Sequence, residues 1–91
     1  MAKIYALTMT TSFYDDNFKK TASHTNVVGA YQSERDVKNY LMSRVQSYEW
    51  RLEQNRLNRI ELSHNSVAVN IYEEDKSSTL YEWRYTEIEL Q

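Results

Sequence analysis

The chain contains no cysteine and no proline, and its only glycine is Gly29. Without cysteine, the sequence excludes disulfides, thiol catalysis and zinc sites built on thiolates. A phosphate-binding loop needs several glycines in a short span, so the single glycine excludes that motif as well. The lack of cysteine also fits a reducing compartment. These absences remove several common enzyme and metal-binding classes from consideration.

Long apolar runs are also missing, and no stretch approaches the roughly 20 residues that a membrane-spanning helix needs. The first residues, Met-Ala-Lys-Ile-Tyr, do not form an apolar signal segment with a cleavage site. Hydrophobic residues make up 41% of the 91 positions, which is typical of a globular protein. We therefore expect one small domain over residues 1–91, located in the cytoplasm and without a membrane partner.

The formal net charge of −2 is unevenly distributed along the chain. Residues 34–59 carry six basic and four acidic side chains, whereas residues 60–91 carry two basic and seven acidic ones. One interpretation is that opposite charges on a small molecule keep it in solution. The other is that the acidic C-terminal third engages a basic surface on a partner.

Residues 33–57 show the apolar periodicity of a long amphipathic helix. Ser33 followed by Asp36 resembles a capping box, and Glu34 places negative charge at the helix start. The pattern predicts a helix over residues 34–55 whose apolar stripe packs on a sheet. The positions of that stripe are Val37, Tyr40, Leu41, Val45, Tyr48 and Leu52.

The segments on both sides of this helix alternate in the manner of β-strands. Residues 17–25 fit either a loop or an extension of the first hairpin. Gly29 marks either a bulge in the second strand or a close approach of the helix. A change of apolar parity in the last strand predicts a bulge near Thr86. The predicted strands cover residues 3–13, 26–31, 60–62, 67–71 and 79–90.

The residues between the third and fourth predicted strands form a hairpin turn with two possible registers. A loop at residues 64–65 would pair Leu62 with Val67, whereas a loop at residues 65–66 would pair Leu62 with Val69. Either register places the same apolar residues on one face. The elements together predict an α+β fold. An antiparallel sheet of about five strands, in the order β-β-α-β-β-β, carries one long helix on one face.

The titratable residues predict neither a catalytic site nor a metal site. Both histidines, His24 and His64, fall in predicted loops or turns among small polar residues. Carboxylates cluster at Asp15-Asp16 and at Glu73-Glu74-Asp75, but neither cluster has the spacing of a calcium-binding loop. We therefore expect a protein that is not an enzyme and that needs no metal and no cofactor.

Nucleic-acid or nucleotide binding is the alternative function that the sequence supports best. The basic residues that suggest it lie along the helix and beyond the end of the helix, with tyrosine and tryptophan interleaved. They are Lys38, Arg44, Arg51, Arg56 and Arg59. On a helical wheel these residues do not form one strip, and Glu49 and Glu53 dilute their charge. Nucleic acid is therefore a weaker expectation than a protein partner.

Trp50 lies on the polar side of the predicted helix, opposite the apolar stripe. A large aromatic residue there is either covered by another part of the chain, such as residues 15–25, or left for a partner. Trp50 and the carboxylate clusters are therefore the candidate protein-binding residues. The full set is Trp50, Asp15, Asp16, Glu73, Glu74 and Asp75.

Residues 26–41 read Asn-Val-Val-Gly-Ala-Tyr-Gln-Ser-Glu-Arg-Asp-Val-Lys-Asn-Tyr-Leu. This segment resembles small uncharacterised bacteriophage proteins, in which a strand of the type Val-Val-Gly-x-aromatic-x-Ser leads into a charged helix and a further hairpin follows. The resemblance extends over about two thirds of the chain and carries no catalytic residue. Such proteins include anti-CRISPR and other anti-defence inhibitors, which bind a host complex and catalyse no reaction.

The resemblance implies a phage-type protein that binds a host protein or defence complex in the host cell cytoplasm and inhibits or modulates it. Nucleic-acid or nucleotide binding remains the alternative, and a homodimeric structural accessory protein is a third class. For the phage-type binding protein, a homodimer is also an expected state.

Overall fold

The structure of the protein is a computed structural model, and it describes residues 2–91. Five strands form one antiparallel sheet in the spatial order β2-β1-β5-β4-β3, and one helix packs on it. The predicted α+β class and the order of its elements are confirmed. The elements are β1 (Ala2–Tyr14), β2 (Lys20–Tyr31), α1 (Glu34–Tyr48), a 3₁₀ segment (Glu49–Glu53), β3 (Arg59–Leu62), β4 (Ser66–Tyr72) and β5 (Ser78–Leu90).

The two longest strands, β1 and β5, pair along their whole length in the middle of the sheet. Their register runs without a shift from Ala2 opposite Leu90 to Tyr14 opposite Ser78. The predicted bulge near Thr86 is therefore wrong. The helix does not cover this part of the sheet, and residues 86–90 of β5 are exposed on both faces. Because neither face is buried there, the apolar residues are not restricted to one face, and this produces the change of parity.

The first hairpin is longer than its apolar pattern indicated, because β2 already begins at Lys20. Of the two alternatives for residues 17–25, most of the segment extends the hairpin. The register of β1 and β2 shifts beside Gly29, where Val28 is an extra residue, so the predicted bulge is confirmed. A Cβ atom at position 29 would meet only the Tyr31 ring, at 3.8 Å. Close approach of the helix is not the reason for this glycine.

The second hairpin adopts the register with the two-residue loop at residues 64–65. Leu62 pairs with Val67, and the Ser63 backbone amide donates a hydrogen bond to the Ser66 carbonyl at 3.0 Å. The inward face of β4 matches the predicted alternation, since every second residue is buried. Its short partner β3 forms one edge of the sheet.

The core lies between α1 and one face of the sheet. The helix contributes the predicted positions Val37, Leu41 and Val45, which are all buried. Tyr40 and Tyr48 pack against the margin of this core and are half-buried. The sheet contributes Tyr5, Leu7, Val67, Val69, Ile71, Trp83 and Tyr85.

The end of the helix differs from the prediction. The α-helix stops at Tyr48 and continues only as the 3₁₀ segment, which ends at Glu53. A 3₁₀ helix turns about 20° more per residue than an α-helix, so four such residues rotate Leu52 by about 80° away from the stripe. Leu52 is 40% exposed, and the prediction that it packs on the sheet is wrong.

The start of the helix is anchored as the sequence indicated. The Asp36 backbone amide donates a hydrogen bond to the Ser33 hydroxyl at 3.4 Å, which caps the first turn. The phenol of Tyr85 donates to the Glu34 carboxylate at 2.8 Å and so joins the helix start to β5. Burial, and then the hydrogen bond to Glu34, raises the pKa of Tyr85 to about 12.

We expect Leu41→Ala to lower the free energy of unfolding by about 2–5 kcal/mol, because it leaves a cavity in the core. Leu52→Ala is the matched control, since it removes the same atoms from an exposed position, and it should cost under about 1 kcal/mol. Urea denaturation of both variants measures the difference. Equal losses would contradict the assignment of the buried stripe.

Tyr85 should also make stability depend on pH in the alkaline range. Its folded-state pKa lies above the ordinary value of about 10, so its contribution is complete below pH 10 and is lost as the pH rises towards 12. Tyr85→Phe removes this titration. The difference in unfolding free energy between wild type and variant should therefore shrink between pH 10 and pH 12. A constant difference would contradict the role of the phenol.

Candidate protein-binding surface

Two acidic turns lie side by side at one end of the sheet. They are residues 15–19, between β1 and β2, and residues 73–77, between β4 and β5, and we call them together the turn end. Tyr14 and Tyr72, which precede the two turns, both pair with Ser78. Because neighbouring strands lie about 5 Å apart, the turns begin about 10 Å from each other. The sheet thus brings both predicted carboxylate clusters to one place.

Asp15 fixes the conformation of the first turn. Its carboxylate accepts hydrogen bonds from the backbone amides of Asn17, at 2.9 Å, and Lys19, at 3.0 Å. Its own amide donates to the Lys19 carbonyl at 2.9 Å. Asp15 is therefore committed to the turn, whereas no hydrogen bond or ion pair within residues 2–91 engages the side chain of Asp16.

Asp75 has the same role in the second turn. Its carboxylate accepts hydrogen bonds from the hydroxyl of Ser77, at 2.6 Å, and from the Ser77 amide, at 3.0 Å. These two bonds hold the pKa of Asp75 below its ordinary value, so the group stays charged. Glu73 contacts Arg51 at 3.8 Å, and Glu74 is exposed.

Phe18 is the residue of this surface that the sequence did not identify. Its backbone lies in the left-handed region, with φ of 63°, and its side chain is 66% exposed. The ring lies 6.5 Å from that of Tyr72 and borders a cleft of about 210 Å³ on the sheet face opposite α1. The only signal for it is an aromatic residue within a polar turn. The cleft is lined by Tyr14, Phe18, Asn70, Tyr72, Ser78 and Leu80.

Trp50 lies in the 3₁₀ segment and is 57% exposed, so its own chain leaves most of the indole uncovered. The indole N–H donates a hydrogen bond to the Ser47 carbonyl at 2.9 Å, which fixes the ring against the helix. The Arg51 guanidinium lies 5.2 Å from the centre of the indole ring and also contacts Glu73. Arg51 thus connects Trp50 to the turn end, and all six candidate residues lie around this end of the molecule.

Four of the five basic residues along the helix and beyond its end contact their own chain. Because each of these side chains has a separate partner, they do not form the continuous basic surface that nucleic-acid binding needs. Their partners are Glu34 for Lys38, the Tyr40 ring for Arg44, Glu73 for Arg51 and backbone carbonyl groups for Arg59.

The histidines lie apart from each other. His24 belongs to β2 rather than to a loop, so its predicted placement is wrong, and its ring lies 6.2 Å from that of Phe13. His64 lies in the second hairpin loop, where its carbonyl accepts a hydrogen bond from Tyr85 at 3.2 Å. Within residues 2–91, no group of three or more histidine, cysteine or acidic side chains is arranged to hold a metal ion. The same part of the chain contains no helix with the length and apolar character to cross a membrane.

Comparisons with known proteins do not assign this chain to a family. The chain matches no family model, and no curated protein or solved structure shows significant similarity to it. The functional argument therefore rests on the turn end and its neighbours.

Proposed function

We propose that this protein binds another protein through the turn end and Trp50, and that it thereby inhibits or modulates a host protein complex. The observation that carries the proposal is the combination of two exposed aromatic side chains, Trp50 and Phe18, with five carboxylates at one end of the sheet. Exposed aromatic residues of this size are the common anchors of protein interfaces.

The turns present their carboxylates in a fixed geometry. The hydrogen bonds of Asp15 and Asp75 order the two loops before any partner arrives, so little conformational entropy is lost on binding. The exposed side chains of Asp16 and Glu74 then attract a positively charged surface at long range. The partner that this chemistry favours is a protein with a basic patch that contains a pocket for an aromatic ring.

The resemblance of residues 26–41 to small phage proteins supports a host defence complex as the target. Under this proposal the protein acts as an anti-CRISPR or another anti-defence inhibitor, and it blocks its target by occupying a surface. This mode of action requires binding and no catalysis.

Capture of partners from a nuclease-treated bacterial lysate, followed by mass spectrometry, tests the proposal. The bait proteins are the wild type and a variant in which Trp50 and Phe18 are both replaced by alanine. A protein recovered by the wild type and lost with the variant supports the proposal. Recovery of the same proteins by both baits, or binding that nuclease treatment removes, contradicts it.

Neutralising the second acidic turn should slow association with the captured partner. In the variant Glu73→Gln, Glu74→Gln, Asp75→Asn, the loss in association rate should be largest at low ionic strength, because salt screens exposed charges. The variant Glu61→Gln, Glu82→Gln, Glu89→Gln removes the same charge from other parts of the sheet and is the control. Surface plasmon resonance at several salt concentrations gives the rates. If both variants slow association equally, the net charge of the protein and not the turn end would be responsible, which would contradict the prediction.

Trp50→Ala should separate binding from folding. Because the indole is exposed, its loss should cost under about 1 kcal/mol of stability. As an anchor, it should contribute about 2 kcal/mol or more to binding, which is roughly thirtyfold in affinity. Trp83→Ala is the matched comparison, since Trp83 is buried and its loss should cost about 3–5 kcal/mol of stability.

Thermal melts and binding titrations on the same samples measure both quantities. Unchanged affinity for the Trp50 variant would remove Trp50 from the proposed interface.

A further inference from the structure

The strand β2 is a long and unprotected edge of the sheet. Within residues 2–91 only β1 pairs with it, which leaves one side of its backbone without a strand partner. All residues from Lys20 to Val28 are exposed, and Val27 is exposed to 77%. Unpaired backbone groups of this kind are a template for a further strand.

The usual devices that protect a sheet edge are largely absent from β2. Residues 21–32 contain no charged side chain and no proline, and the pairing with β1 is interrupted only at Val28 and, at the start of the strand, at Thr21. The opposite edge, β3, is only four residues long and carries Arg59 and Glu61. The molecule therefore protects one edge and leaves the other open.

We propose that β2 pairs antiparallel with β2 of a second copy of this chain, which joins two five-stranded sheets into one continuous sheet. A twofold axis at such an interface sets the strand against its own reversed sequence. Any charge near the axis would then meet the same charge from the other copy. The uncharged run of residues 21–32 removes this repulsion, and that favours self-pairing.

Side-chain chemistry on the face opposite α1 is also suited to self-pairing. The hydroxyls of Thr10 and Thr25 lie 2.8 Å apart across β1 and β2, and those of Ser12 and Ser23 lie 3.1 Å apart. A pair centred on Thr25 would place the Thr25 side chains of both copies next to each other. The hydroxyl row would then continue across the interface, and Thr–Thr pairs of this kind stabilise antiparallel sheets.

The helices leave room for the second copy. Helix α1 approaches β2 near its C-terminal end, where the rings of Tyr31 and Tyr40 lie 6.2 Å apart. The rest of the strand, from Lys20 to Val28, is uncovered on both faces. A twofold axis perpendicular to the sheet places both helices on the same side, each over its own half. This interface does not depend on the function proposed for the turn end.

Sedimentation equilibrium of the full chain, from micromolar to near-millimolar concentration, tests the proposal. The mass should rise from 10.9 kDa to twice that value. Val27→Lys places two like charges at the interface and should weaken the dimer by at least about tenfold. Leu62→Lys is the matched control on the other edge strand, where the side chain is also exposed, and it should leave the dimer unchanged. Thermal melts confirm that both variants are folded.

A cross-linking experiment uses the absence of cysteine. Single variants Ser23→Cys, Thr25→Cys and Val27→Cys each carry one thiol, and a residue near the twofold axis should form an intermolecular disulfide under mild oxidation. Leu62→Cys, the control, should not. A monomer at every concentration overturns the proposal. So does a dimer that Leu62→Lys disrupts but Val27→Lys does not, or a dimer that none of the three β2 thiols cross-links.

Discussion

The difference in length between the helix and the central strands determines which surfaces this protein exposes. Helix α1 has 15 residues and is about 22 Å long, whereas β1 and β5 have 13 residues each and extend over about 43 Å. One helix can therefore cover only about half the length of the sheet. The molecule is accordingly elongated, with extents of 50 × 26 × 16 Å. The uncovered parts are the turn end, most of β2 and, at the opposite end of the sheet, residues 86–90 of β5.

Dense packing holds the part of the sheet under the helix in place, whereas local hydrogen bonds hold the turns outside it. Between the helix and the sheet, Val37 of α1 packs with Leu7 of β1 and Val69 of β4, and all three are fully buried. Burial of one face of the strands fixes their register. Beyond the helix, Asp15 and Asp75 hold their turns by accepting backbone amides. Residues of the turn end can therefore change without creating a cavity in the core.

The two exposed surfaces are compatible with each other. In a pair of chains joined along β2, the antiparallel arrangement directs the two turn ends to opposite sides. Trp50 and Phe18 both lie outside β2, so this pairing does not use either side chain. Such a dimer would present two binding surfaces to a multisubunit target, and simultaneous engagement of both would raise the apparent affinity without new contacts.

The sequence by itself determined the elements and most of the core. The spacing of Val37, Leu41 and Val45 predicted the buried side of the helix, because a regular α-helix repeats every 3.6 residues. It could not predict the position of Leu52, since the change to a 3₁₀ turn alters that repeat. Nor could it predict the absence of a bulge near Thr86, because the exposed apolar residues beyond the helix mimic a change of face.

Only the tertiary structure decided the candidate site. The six candidate residues are spread over 61 positions of the sequence, from Asp15 to Asp75, and no local pattern relates them. The five carboxylates among them meet because β5 lies between β1 and β4, an order set by long-range pairing such as that of Tyr14 with Ser78. Trp50 is connected to them through Arg51, which contacts Glu73. Hydrophobic periodicity predicts which side of a helix or strand is buried. The choice of neighbouring strand depends on how all the buried faces pack together, and the contact of Phe18 with Tyr72 follows from that choice.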